Sequence, residues 1–380
     1  MRKSADAHAQ AGHHVHVLYF YTTPWADQAD QVILNQAQWT SEMVGGHPEK
    51  APLRYFFSRL NRKVQELLGN SKQSMCRSMM ELLTKVWAWN PDLVIGHNPG
   101  ILGPLIKIKS QLKIPVLFDA EDFHRGEMMP GTPASMRVES LENECLPKLS
   151  KITAASPLIG AAYQSLYPNL EVHPINNAFP LSNLSVNHRD ILKPLSLVWF
   201  SQVIGLDRGL QEFLDSLDSI KEINLEITLI GAISNDDRRA IEGGVTSQNH
   251  SIQFQKPIPE KELFSFLSEH DIGLALELPN PENRNLCRTN KLYSYPLAGC
   301  YMLISKTKAQ VQFIEEFPKS GELIDLQNPL QIAEILRYYN NHREELTIKK
   351  QSAQDLARMT LNWEHESKRL LEVTQELLAS

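Results

Sequence analysis

Three short stretches of the chain hold residue types that could do chemistry. Asp119-Ala120-Glu121-Asp122-Phe123-His124-Arg125-Gly126-Glu127 follows the apolar run Ile114 to Phe118 and is the densest cluster of ionisable groups in the sequence. Carboxylates and an imidazole at a strand end can orient a hydroxyl and take its proton. Glu121, Asp122 and His124 are therefore candidate acid–base groups and Asp119 a candidate substrate contact; the alternative is a solvated loop with a helix-capping Asp. The second stretch, Ser201 to Gly209 (SQVIGLDRG), follows the run Leu195 to Phe200 and precedes a helix that begins near Leu210. A strand, a Gly-bearing turn and a helix start bind phosphate through backbone N–H groups and a guanidinium. Ser201, Gly205, Arg208 and Gly209 are the candidate contacts, with Arg208 as a plain surface residue the alternative. The turn is not GxGxxG, so a nicotinamide fingerprint is unsupported. The third stretch, Ile272 to Cys300, reads as a buried strand, a Pro- and Asn-rich loop from Leu278 to Thr289, and a helix opened by Asn290 and Lys291 and stopped by Gly299. A Lys at a helix start is an anion site, and Pro296 inside that helix should kink it.

The elements that must position these groups alternate between short apolar strands and helices. Strand runs fall at Val15–Tyr21, Leu93–Ile95, Ile114–Phe118, Lys151–Ser156, Val172–Phe179, Leu195–Phe200, Leu225–Ile230, Ile252–Phe254, Ile272–Leu276 and Tyr301–Ser305. Such alternation predicts an α/β fold with parallel sheets, whose ligands lie outside the carboxyl ends of the strands. His97 and Asn98, in the turn after Leu93–Ile95, then join the candidate substrate contacts; a His at a strand end is structural at least as often. Residues 22–50 read as polar loop. Pro52 to Leu68 is a basic amphipathic helix with Phe56, Leu60, Val64 and Leu67 on one stripe and Arg54, Arg59, Arg62 and Lys63 around it. Packing on its own domain is the preferred reading; contact with an anionic membrane surface is the other.

A length of 380 residues predicts two domains. With 42% hydrophobic and 22% charged residues the chain can bury a sizeable core. A net charge of −6 argues against nucleic-acid binding. Cys76, Cys145, Cys287 and Cys300 form no CxxC and read as reduced thiols of a cytoplasmic protein. No long apolar run predicts a transmembrane helix, and the N-terminus lacks the apolar core of a signal peptide.

TNKLYSYPLAGC resembles the "NKLfEYmaaG" segment of GT-B glycosyltransferases of the family 4 type. AGHHVHVLY resembles the "aGHeV" start, PDLVIGHN the "PDvvhaHn" segment, and the Asp119 stretch the "vyDaHE" segment. VHPINNAF is similar to the "viyNg" strand that closes the first domain, and Ser201–Gly209 to "fvGrl...KGl", with Ser201-Gln202 in place of Gly-Arg and Arg208 in place of Lys. Two positions depart from the acidic pair of the pattern: Ser294 and Leu286 stand where the family carries Glu. Glu121 stands where many relatives carry His. The family's opening strand is absent, which leads us to expect that the sequence begins late or that the sheet is rearranged to close without it.

The resemblance implies a GT-B fold, two doubly wound Rossmann-like domains facing a central cleft. The expected boundaries are 1–180 for the acceptor-side domain, 181–194 for a linker, 195–362 for the nucleotide-sugar domain, and 363–380 for a last helix that packs back on the first domain. It implies transfer of a sugar from a nucleotide-sugar to a hydroxyl of a glycan or lipid-linked acceptor, with retained configuration, no metal and no further cofactor, in cell-surface polysaccharide synthesis. The expected place is the cytoplasm, with peripheral contact at the inner membrane face a further expectation. Arg208 and Lys291 would hold the diphosphate, with Asn290 and Ser294 touching sugar or phosphates. The alternative is a catalytically impaired GT-B protein that binds a nucleotide-sugar or a partner.

Overall fold

The computed structural model describes residues 1–181, 190, 192–244 and 249–379. The expected linker, 181–194, lies mostly outside the described residues. The chain divides into two compact units. One is Met1–Ile175 with Ser367–Ser380, and the other is Asn176–Glu366.

In the N-terminal unit the strands are β1 (His16–Phe20), β2 (Thr40–Val44), β3 (Val94–His97), β4 (Val116–Ala120), β5 (Lys151–Ala154) and β6 (Glu171–Pro174). β1 and β2 pair as a two-stranded parallel sheet, and β3-β4-β5-β6 pair in that order as a second parallel sheet. The stretch expected as loop, 22–50, instead contains a helix, Pro24–Leu34, and β2. β2 reads TSEMV and buries only its last residue fully. Its apolar signal is therefore weak, and its extended state rests on register with β1, His16 opposite Thr40. Leu117, Phe118, Ile152, Leu102, Leu105 and Leu83 are buried in this unit. The last helix, Trp363–Ala379, buries Leu370, Val373 and Leu377. Its Thr374 hydroxyl lies 3.2 Å from His8 Nε2.

In the C-terminal unit the strands are β7 (Leu195–Val203), β8 (Leu225–Ala232), β9 (His250–Gln255), β10 (Ile272–Ala275), β11 (Tyr301–Ile304) and β12 (Gly321–Leu323). All pair parallel, in the order β12-β11-β10-β7-β8-β9. Alternate residues feed opposite faces. Leu197, Trp199, Leu274 and Leu303 join one buried cluster, while Val198, Ala275, Met302 and Ile304 join another. A parallel sheet covered on both faces gives this continuous apolar reading. From β7 the chain moves one way through β8 and β9, then returns to lay β10, β11 and β12 on the other side. The order therefore reverses between β7 and β10, and a crevice opens at such a point above the carboxyl ends of the strands.

Candidate functional site

Both carboxyl ends at that reversal carry charge. β7 runs to Val203, three residues beyond the expected end, so Ser201 lies on the strand and the turn proper is Ile204 to Gly209. The strand pairing with β8 is irregular between Phe200 and Val203, which is where the apolar run gives way to polar residues. Gly209 closes the turn with φ +79°, a conformation that favours glycine, and a Cβ there would lie 2.6 Å from Leu326 Cδ1. The helix after it, Leu210–Ser216, is seven residues long. Positive charge at this end is therefore supplied chiefly by the Arg208 side chain.

β10 delivers Glu277 two residues past its end. Its backbone is fixed from β11: the Glu277 N–H donates to Ser305 Oγ at 2.8 Å and that hydroxyl lies 2.9 Å from the Glu277 carbonyl. Gln310 in turn accepts from Ser305 at 2.7 Å and donates to the Ala275 carbonyl at 2.7 Å. Glu277 is buried, with one oxygen, Oε1, 3.2 Å from Arg208 Nη1 and 3.6 Å from Lys291 Nζ. The other oxygen, Oε2, is buried with no partner among the described residues.

Lys291 opens the helix Lys291–Ala298, which runs through Pro296 and ends at Gly299 in the left-handed region. That helix seats closely on the sheet because β10 carries Gly273, where a Cβ would come within 2.3 Å of the Tyr295 ring. The Tyr295 hydroxyl reaches the Val198 carbonyl at 3.1 Å and thereby fixes the helix over the β7–β10 reversal. Lys291 Nζ lies 5.0 Å from the Trp199 ring centroid. Burial pushes its pKa down, Glu277 opposes that, and Arg208 and Arg284 add to the lowering. The loop expected between β10 and this helix holds a short helix, Glu282–Leu286. Its Arg284 clamps the Arg208 turn, donating to the Asp207 carboxylate at 2.8 Å and the Asp207 carbonyl at 2.9 Å. This Arg284 contact holds the Asp207 carboxyl below its ordinary value.

The structure thus joins Arg208, Lys291 and Glu277 above Gly209. Gly205 is half-buried in the turn, and Asn290 is exposed, its carbonyl receiving the Tyr293 and Ser294 N–H groups at 3.1 and 3.0 Å. Ser294 is fully buried, and its hydroxyl has no partner among the described residues. Glu277 escaped the sequence reading. The available signal was an acid one residue beyond an apolar run, in the stretch IGLALELP.

A second group stands at the carboxyl ends of β3 and β4. The register places His97 opposite Asp119. His97 Nδ1 lies 3.0 Å from Asp119 Oδ2 and 3.2 Å from Glu121 Oε1. Asp119 Oδ1 accepts from Thr153 on β5 at 2.7 Å, and Glu121 accepts from the Met1 ammonium at 2.8 Å. Burial alone would lower the His97 pKa, but the two carboxylates outweigh it and the net shift is upward. Burial likewise opposes ionisation of Asp119 and Glu121, yet His97 holds both below their ordinary range, with the Met1 ammonium adding to the effect on Glu121. Asn98 takes φ +67° and starts the turn Pro99–Ile101.

The structure separates His124 from this group. The turn His124–Gly126 carries the ring inward, where it is 2% exposed and 6.0 Å from the Phe118 ring. Its Nδ1 meets Glu127, its backbone N–H donates to the Tyr163 hydroxyl at 3.1 Å, and Asp122 belongs to this same cluster. Both His/carboxylate groups have ligand atoms within 4.8 Å of one another, a spacing at which a divalent cation can be held.

Comparison with known proteins adds the following. Residues 208–372 match the family model described as glycosyl transferase-like. No curated protein matches the sequence. A glycosyltransferase from Rickettsia africae is similar in structure at a TM-score of 0.69 and 12% identity, over 99% of this chain and 93% of that one. Sucrose-phosphate synthase from Thermosynechococcus elongatus is similar at 0.70 and 12%, over 100% and 92%. Anabaena HepE, solved with UDP and glucose, is similar at 0.65 and 13%, over 96% and 100%. Residues 208–372 are therefore similar to a glycosyltransferase domain, in a chain with the α/β GT-B fold of two Rossmann-like domains.

Proposed function

We propose that this chain transfers a sugar from a nucleotide-sugar to an acceptor hydroxyl of a glycan or lipid-linked glycan, in cytoplasmic synthesis of a cell-surface polysaccharide. The observation that carries the reading is the convergence of Arg208 and Lys291 on one carboxylate oxygen at the strand-order reversal of the matched domain. When the bond between the anomeric carbon and the diphosphate oxygen breaks, its electron pair leaves with the nucleoside diphosphate. Two fixed cations beside that diphosphate offset the developing charge. This supply of charge from side chains supports a metal-independent reaction. Retention of configuration rests on the family resemblance. Glu277 Oε2, buried and free to accept, suits a hydroxyl of the donor. HepE, solved with UDP and with UDP-glucose, supports a nucleotide-sugar as the donor class.

The acceptor step falls to the His97–Asp119–Glu121 group. Its carboxylates stay ionised at neutral pH, and one of them can take the proton that the acceptor hydroxyl loses. The buried His124 supports that loop in this reading.

The test is release of nucleoside diphosphate from a panel of nucleotide-sugars, with thermal shift on the same panel. One donor should raise the melting temperature and be slowly hydrolysed. Stabilisation without turnover would favour the impaired binding protein, and no response to any donor would remove the assignment.

A further inference from the structure

The helix Pro52–Leu67 lies on the N-terminal unit with its polar side inward. Leu53, Phe56, Phe57, Leu60, Val64, Leu67 and Leu68 are all between 43% and 87% exposed. At a helical period they fall on one stripe roughly 120° wide. Ser58 is the one buried residue of this helix, and its hydroxyl lies 2.9 Å from the Gly45 carbonyl and 2.8 Å from the Tyr55 carbonyl. Tyr55, on the same side, packs edge-on against Tyr21 and under the Arg77 guanidinium. The helix therefore packs on its own domain, as the preferred sequence reading has it, but through its polar side, and leaves the apolar stripe exposed. Seven large apolar side chains on one exposed face form a patch that a monomer rarely shows without using it.

The charge around the stripe selects the occupant. Arg54, Arg59, Arg62 and Lys63 face one acid, Glu66, in a chain of net charge −6. Arg54 lies beside one edge of the stripe, Lys63 and Arg59 beside the other. Arg54 pairs with Glu81, and Glu66 pairs with Arg137 at 2.8 Å. A second copy docked on this face would bring like charges together. Phosphate headgroups complement them, and apolar residues between cations are what an interfacial helix needs. We propose that this face docks on an anionic lipid surface, with the stripe in the headgroup–acyl boundary and the cations at the phosphate level. The inference is independent of the transfer reading. Among the described residues no helix is long and apolar enough to cross a membrane.

The test is co-sedimentation of the full chain with vesicles of phosphatidylcholine alone and of phosphatidylcholine with an equal part of phosphatidylglycerol, at low and high salt. The protein should pellet with the anionic vesicles at least about tenfold more than with the neutral ones, and salt should weaken it. The double variant Phe56→Ser with Leu60→Ser should lose about tenfold or more of that binding at unchanged melting temperature, because both side chains are exposed. Arg59→Glu with Lys63→Glu should abolish the difference between the two vesicle types. Absence of binding, equal binding by the variants, or a solution dimer that the Phe56→Ser, Leu60→Ser variant converts to monomer would overturn the proposal.

Discussion

Around Glu277 two cations share one carboxylate, while around His97 two carboxylates share one imidazole. The first group has positive charge left over after internal pairing, and the second holds two ionised carboxylates against His97 and the Met1 ammonium. Both stand at the carboxyl ends of parallel strands, so the fold supplies the same platform twice and the side chains set a different charge pattern on each. An excess of positive charge suits an anionic leaving group. An ionised carboxylate suits a hydroxyl that must lose a proton. The contrast also extends to anchoring: Lys291 is nearly enclosed, whereas Arg208 is 40% exposed.

The contrast can be broken most severely at Arg208. Arg208→Ala should lower turnover by about 10²–10³, the loss of one donor aimed at developing charge. The melting temperature should stay near that of the parent, since an exposed guanidinium contributes little to stability. Steady-state kinetics with the donor found above, beside a thermal scan, checks both halves. On the other side, Glu121→Gln should reduce kcat by roughly 10–10² while donor KM is kept, because this group is assigned to the acceptor. A matching rise in donor KM would blur the division of labour.

Glu277→Gln is a stability experiment first. It leaves Lys291 buried beside Trp199 without its charged partner, and breaking a buried pair costs about 3–5 kcal/mol. Arg208 and Lys291 would be left with excess charge, so the variant should unfold earlier in urea. A parent-like midpoint would mean that the carboxylate is not their counter-ion. The smallest effect is in the pH dependence of the His97 group. Its folded pKa lies above the ordinary 6.5. The stabilisation it provides is then complete below about pH 6.5 and is lost as pH rises through the folded value. Asp119 and Glu121 have lowered values, so their contributions vanish only on acidification below the ordinary carboxylate range. Melting temperature should fall relative to a His97→Gln variant as pH rises above 6.5, and parallel curves would deny the coupling.

Much of this was legible in the sequence because it was written in apolar runs. The strand Ile272–Ala275 and the helix start at Lys291 needed only a short buried segment, a polar loop and a Gly stop. Arg208 could be placed by its strand, turn and helix context. Glu277 could not, because a single acid at the edge of a Pro- and Asn-rich loop looks solvated until Ser305 and Gln310, beyond β11, fix the backbone around it. His124 misled for the converse reason. Its spacing from Glu121 suggested a shared cluster, but a tight turn buries the ring near Phe118, while its backbone N–H donates to the Tyr163 hydroxyl. The Pro52–Leu67 helix shows the limit of periodicity. A hydrophobic stripe tells that a face exists, and only the fold tells which way it points.

The central claim is that Arg208 and Lys291 hold a diphosphate. Calorimetric titration of a nucleoside diphosphate and of its parent nucleoside into the protein and into Arg208→Ala tests it without knowledge of the acceptor. UDP and uridine are the first pair to use, with the other bases to follow. The account predicts that the diphosphate binds the variant at least about tenfold more weakly, as for loss of a charge-assisted contact. The nucleoside should bind the two proteins alike. Equal diphosphate affinity in both proteins would contradict it.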